Sequence, residues 1–322
     1  MRIVAVLIAF ALIWAADAQA QNQPPAPPWD AAIARKAPLA GKIFDRRGGQ
    51  TLTPEALIER LAMADFVLLG ERHDNPDHHR LQAWIVQRLL ERGRAYAVAF
   101  EMIDSSQATK LAAFLAASPR DAEGIGEALN WRNSGWPAWW HYQPIAAAAL
   151  NRGQPILAAN LPPDLARTIA RQGLSALSAD MVAELRLTPN EDAAILASHR
   201  AEIQKAHCGI LPEPSLAPFA AAQYVRDGKM ARVMIDHRRA SGGQSGAILI
   251  AGTGHVRSDI GVPRHLARHA PEARALSLAF IEADDKLVGP ADDATRPYDL
   301  LWFTARVDAV DTDHCAAMRA PR

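Results

Sequence analysis

An α/β fold, with a mostly parallel central sheet flanked by helices, is predicted by three observations. The run Phe66-Val-Leu-Leu69 is continuously apolar and ends in Gly70-Glu-Arg-His73. The later run Ala247-Ile-Leu-Ile-Ala251 ends in Gly252-Thr-Gly-His255. Between and around them, apolar stretches alternate with segments of helical spacing. Strands buried on both faces read as unbroken apolar runs. Ligands in such sheets sit at the carboxyl ends of the strands. Both Gly-x-x-His motifs are therefore expected at one sheet edge.

The chain has 322 residues, enough for one large domain or a domain with a sizeable insertion. Lys plus Arg equals Asp plus Glu, at 35 each, so no global positive field points to nucleic acid. Arg2, the apolar residues 3–16 and the small-x-small site Ala18-Gln-Ala20 read as a signal peptide, 1–20, cut before Gln21. No other run is long and apolar enough for a membrane span in the mature chain. Export, and a soluble periplasmic protein, are the expectation. The two cysteines, Cys208 and Cys315, are compatible with one disulfide in an oxidising compartment or with free thiols.

The elements follow in order. Residues 21–39 begin Gln- and Pro-rich and read as a flexible segment. Ile43-Phe-Asp45 is a short strand before a turn. Thr53 caps a helix with Pro54 at its first position and Leu57, Ile58 and Leu61 on one face. After the first motif, Asn75-Pro76 starts a helix carrying Leu81, Trp84, Ile85, Leu89 and Leu90. A strand over 95–100 ends at Glu101, completing a βαβ unit. A helix covers 108–117. Trp131, Trp136, Trp139 and Trp140 then crowd ahead of His141 and Tyr142, either fastening a loop or walling a ligand. A helix over 144–151 and a strand over 155–159 come next, the strand ending at Asn160. Pro162-Pro163-Asp164 opens another helix.

Residues 174–216 read as a smaller helical insertion or lid, ending in a turn-rich 209–218. Residues 220–239 are expected to form one long helix, interrupted or joined near Asp227-Gly228. The second motif strand, a short helix from Pro263, and strands over 275–281 and 300–304 complete a domain of 40–310. An acidic loop, 282–297, and a tail, 311–322, flank the last strand.

The chemistry gathers at the strand ends. His73 and His255 offer imidazole nitrogens; Glu71 and Glu101 offer carboxylates, and Glu101 ends an apolar strand where an unpaired charge is costly. Two histidines with carboxylates form a ligand set for a divalent metal such as Mn, Co or Zn, able to activate water if one position stays open. His78 and His79 are expected on the helix surface, and Asp104 as a helix cap. His199, His207 and Cys208 could ligate a metal or haem iron, or simply pack the lid. Ser105, Ser106 and Ser245 lack a nucleophile context, and neither phosphate-loop nor dinucleotide glycine spacing occurs.

Taken together, Leu68-Leu-Gly-Glu-Arg-His-Asp74, Phe100-Glu-Met102, Ala206-His-Cys-Gly-x-Leu-Pro212, Met230-Ala231 and Ala251-Gly-Thr-Gly-His255 resemble the ChaN-like haem-binding uptake proteins. These belong to the Tiki/TraB/PrgY-like superfamily. The likeness spans about residues 40–307. It implies an extracytoplasmic haem-binding protein of haem or iron uptake, with haem held between subunits of a homodimer by tyrosine, or passed to a haem-transport partner. Of Tyr96, Tyr142, Tyr224 and Tyr298, Tyr142 ranks first as ligand because it adjoins the tryptophans. Trp139, Trp140 and His207 complete the cofactor-binding set. The superfamily also implies an alternative. Its Tiki-like members are metal-dependent hydrolases, some of them peptidases, and Glu71, His73, Glu101 and His255 would then be catalytic. The ligand would be a peptide or small molecule.

Overall fold

The computed structural model describes residues 29–284, 297–308 and Cys315. The expected signal peptide, most of the acidic loop and, apart from Cys315, the tail lie outside the described residues.

An eight-stranded sheet runs in the order β2-β1-β8-β7-β3-β6-β4-β5. Its strands are β1 (Ile43–Asp45), β2 (Gln50–Leu52), β3 (Phe66–Glu71), β4 (Tyr96–Asp104), β5 (Ile156–Asn160), β6 (Gly246–Gly252), β7 (Ala275–Glu282) and β8 (Leu300–Thr304). The six from β3 to β8 are parallel; the β1–β2 hairpin closes one edge antiparallel. Both motif strands are central and adjacent, with Glu71 in register with Gly252.

Alternation along β3 sorts its side chains onto the two faces. Val67 and Leu69 pack with helices α1 (Pro54–Ala62), α2 (Pro76–Glu91) and α5 (Gln143–Leu150). Phe66 and Leu68 pack with α9 (Glu213–Ala240) and α10 (Val262–His269). Between these lie α3 (Ala108–Ala117) and α4 (Gly124–Ala128), then α6 (Pro163–Gln172), α7 (Ala179–Glu184) and α8 (Ala193–Ala206). Part of α6 to α9 encloses a smaller apolar cluster around Ile169, Leu185, Ile195 and Val225, beside the sheet.

Local signals set many boundaries. Thr53 Oγ1 accepts from the Ala56 amide and Asn75 Oδ1 from the Asp77 amide, as capping requires. Asp104 forms a capping box with Gln107. The start of α9 is corrected, and its expected length as one long helix holds. It begins at Glu213, takes in Pro218, and runs unbroken through Asp227-Gly228. Gly228 serves contact here: a Cβ there would stand 2.7 Å from Leu187 Cδ2. The lead-in is also packed from Trp29 onward, since Trp29 is buried and Asp77 accepts from the Asp30 and Ala31 amides.

Cys208 and Cys315 are joined as a disulfide. Cys208 is thereby withdrawn from the ligand set considered above. Among the described residues, no helix is long and apolar enough to cross a membrane.

Candidate functional site

The two motifs meet, and they do so across the sheet edge. Glu71 follows the face alternation of Val67 and Leu69, and so belongs to the α2 side. Glu101 lies on the α9 side, at an irregularity where β4 slips register against β5 between Phe100 and Asp104. Bulges of this kind re-aim side chains beside sites. Both carboxylates are buried.

On the α2 side, Glu71 Oε1 takes hydrogen bonds from His73 Nδ1 at 2.9 Å and from the Tyr142 hydroxyl at 3.2 Å. Its Oε2 lies 3.1 Å from His79 Nδ1 but is not aligned for a hydrogen bond. Burial alone would raise the Glu71 carboxyl; His79 and His73 outweigh it and hold it at about 2. His73 and His79 rise in turn, with burial opposing and Glu71 prevailing.

On the α9 side, Glu101 Oε1 is bonded to Arg226 and lies 3.2 Å from His255 Nε2. Its Oε2 accepts the Gly252 amide at 2.7 Å. His255 Nδ1 is 2.6 Å from Asp227 Oδ1. Burial pulls His255 down, but Glu101 and Asp227 lift it to about 9. Glu101 is held well below the usual carboxylate range by His255 and Arg226, against the effect of burial.

His73 bridges the halves. Its Nε2 lies 4.0 Å from Glu101 Oε2, and its ring meets Trp136 edge-on at 4.9 Å. Gly252 makes room for it: a Cβ there would stand 2.9 Å from His73 Nε2. A Gly252→Ala variant should therefore push the ring away from Glu101 at about 1 kcal/mol in stability. The NMR titration of His73 should move to lower pH; an unmoved titration would show the pairing to be unimportant.

Glu71, His73, Glu101 and His255 are thus brought together as expected. Other placements differ. His78 and His79, expected at the surface, are buried, because the amino end of α2 abuts the end of β3. His78 Nδ1 accepts the Arg72 amide and its Nε2 bonds Thr304 Oγ1. Burial drives His78 down to about 3. Tyr142 is fully buried with its hydroxyl turned to Glu71 rather than to an open face. The tyrosine ranked first from sequence is thus part of the Glu71 network. Trp139 is an internal prop, donating to Ala122 O and packed on Trp131. Trp140 is exposed and stacked on His141. His207 stands apart at the end of α8, on a 280 Å³ cavity also lined by His199, Asp227 and His255.

The metal expectation fits the donors poorly. Glu101 already serves Arg226, His255 and an amide, and Glu71 serves two histidines and a phenol. Among the described residues, no group of three or more His, Cys, Asp or Glu is arranged to hold a metal ion. What the arrangement can do is hold protons and charge on linked imidazoles and carboxylates.

The partners His79, Arg226 and Asp227 were missed from sequence. A signal existed for Asp227, a carboxylate between the buried positions of an apolar helix. A 380 Å³ cleft opens beside Glu101 and Arg226, walled by Met102, Trp136, Leu161 and Phe219, with Arg167 on its rim.

A model of the family described as haem-binding uptake, Tiki superfamily, ChaN, matches residues 57–266. The structure of ChaN of Campylobacter jejuni with cofacial haem is similar at a TM-score of 0.62 and 24% identity. The match covers 81% of this chain and 95% of that one, and shows the shared fold. The protein RETICULATA-RELATED 5, chloroplastic, of Arabidopsis thaliana is 23% identical over 266 residues, 77% of this chain. The chain spans only 35% of that relative's length.

Proposed function

The chain belongs to the ChaN haem-binding uptake family of the Tiki superfamily, and we propose that it binds haem as cargo outside the cytoplasm, in haem or iron uptake. The family match over 57–266 carries this reading. The disulfide supports an oxidising, extracytoplasmic compartment, in keeping with a periplasmic address.

The residues present suit the cargo. Haem is an apolar plate edged by two carboxylates. The cleft beside Glu101 offers the apolar walls Met102, Trp136, Leu161 and Phe219. Arg167 and Arg226 stand at the same cleft, and guanidinium groups pair well with carboxylates. Phe219 and nearby Ile210 are both exposed and extend the apolar surface outward. A cleft of 380 Å³ takes part of such a plate, which leaves area for a second copy or a haem-transport partner.

Titrating the protein with hemin tests the reading. A saturable Soret change is expected, and none would overturn it. Phe219→Ala should weaken binding about tenfold, the effect of losing roughly 1.5 kcal/mol of apolar contact.

A further inference from the structure

We infer that the cavity beside α4 is a binding site for a small organic cation of the alkylammonium class, taken up by the rings of Trp136 and Trp140 and the carboxylates of Glu123 and Glu127. The inference draws on nothing in the haem reading above.

At 960 Å³ the cavity is within the range of small-molecule sites. It is distinct from the cleft beside Glu101, and Trp136 is the residue common to both linings. Four of the chain's eight tryptophans line it. Trp131 and Trp139 are buried and supply its inner side. Their indole N–H groups donate to Pro137 O and Ala122 O, each at 2.8 Å, so what they offer an occupant is ring surface. The backbone of α4 lies directly on that surface: a Cβ at Gly126 would stand 2.7 Å from Trp139 Cδ1.

Trp136 is half-buried, and Trp140 is 62% exposed. His141 stacks on one face of Trp140, at 3.6 Å between centroids. Burial and nearby His79 hold the His141 imidazole down at about 4, so it is uncharged near neutrality. It therefore does not oppose a cation on the other face of the indole, the aromatic face that attracts cations best.

The charged groups decide the class of ligand. Glu123 and Glu127 are four positions apart at α4, a spacing at which like charges repel. Both are exposed, and among the described residues neither carboxylate has a hydrogen-bond or ion-pair partner. Arg132 is the sole cation among the described lining residues, and it is not within ion-pair reach of either carboxylate. The side-chain oxygen of Asn130 is taken by Asn133.

Carboxylates alone would be an ordinary solvated face. Indole rings over the same cavity add a second attraction for the same charge. The two together discriminate among cations. A hydrated inorganic ion gains little from ring carbon, and among the described residues no group of three or more ligating side chains is arranged to hold one. An alkylammonium carries its charge on carbon and gains from both.

The test uses the full chain, with choline as the probe. Its control is the uncharged isostere in which a tert-butyl group replaces the trimethylammonium. Binding is read from the indole N–H signals in a proton–nitrogen NMR spectrum, and Trp140→Leu identifies the Trp140 signal by its loss. Choline should move the Trp136 and Trp140 signals saturably, and the isostere should not. Trp140→Leu keeps apolar bulk but loses the indole face, and should weaken choline roughly two- to fivefold, read at Trp136. The double variant Glu123→Gln, Glu127→Gln should weaken it by about fivefold, and added salt should weaken it in wild type. Trp140, Glu123 and Glu127 are exposed, and circular dichroism checks that each variant is folded. If choline moves no indole signal, or the isostere moves the same signals as strongly, the cavity does not select a cation and the inference fails. Unchanged choline affinity in the double glutamine variant also overturns it.

Discussion

Replacing Glu101 by alanine is expected to cost about 3–5 kcal/mol of folding stability, the scale for breaking a buried ion pair from one side. The carboxylate is 2% exposed and serves Arg226, His255 and the Gly252 amide together. Its removal leaves the half-buried Arg226 guanidinium without its carboxylate and the buried His255 with Asp227 alone as counter-charge. Glu101→Gln keeps an acceptor for the Gly252 amide and should cost clearly less. Urea unfolding of the three proteins measures the difference. A loss below about 1 kcal/mol for alanine, the scale of an exposed pair, would show the network to be solvated.

The second large effect is a dependence on pH that His255 controls on the alkaline side. Its folded value, about 9, stands above the ordinary 6.5. A raised histidine stabilises fully below pH 6.5 and loses that contribution as pH climbs through 9. The difference corresponds to on the order of 3 kcal/mol. On the acid side two kinds of group act. Burial depresses His78 to about 3 and His265 to about 4, so protonation of the unfolded chain below 6.5 weakens the fold. Glu71, held at about 2 against an ordinary 4.5, adds a loss below about pH 4.5. Stability should therefore peak near pH 6.5. His255→Gln should lower the peak and flatten the limb from 6.5 to 9 while leaving the acid limb in place. Urea unfolding at pH 5, 6.5 and 9 reads this; an unchanged alkaline limb in the variant would refute the assignment.

The central strands were readable because burial on both faces removes the need for alternation. Unbroken apolar runs ending in Gly-x-x-His therefore marked β3, β6 and the shared edge. Glu101 was readable as a charge ending such a run. The partners were not, for physical reasons. Asp227 lies 28 residues before His255, and only the crossing of α9 over β6 brings them together. His79 sits in a polar first turn that looks solvent-facing until the strand end is placed against it. Pro218 and Gly228 are breakers by local propensity, yet packing of α9 on the sheet overrides them. Tyr142 adjoined the tryptophans in sequence, and a neighbour in sequence can still face inward.

The disulfide bears on how the chain reaches this state. Cys208 and Cys315 are separated by 107 positions, a stretch that includes all of α9, β6, β7 and β8. Strand β3 belongs to an earlier part of the chain, yet it pairs with β6 on one side and β7 on the other. The covalent loop thus encircles, in sheet order, a strand that it does not contain. Phe66 pairs with Ala247 and Ala275, non-local contacts of the kind that close slowly. Oxidation before β3 is seated would confine β6 and β7 within one covalent loop and favour their direct pairing. Oxidation afterwards locks β3 in place between them.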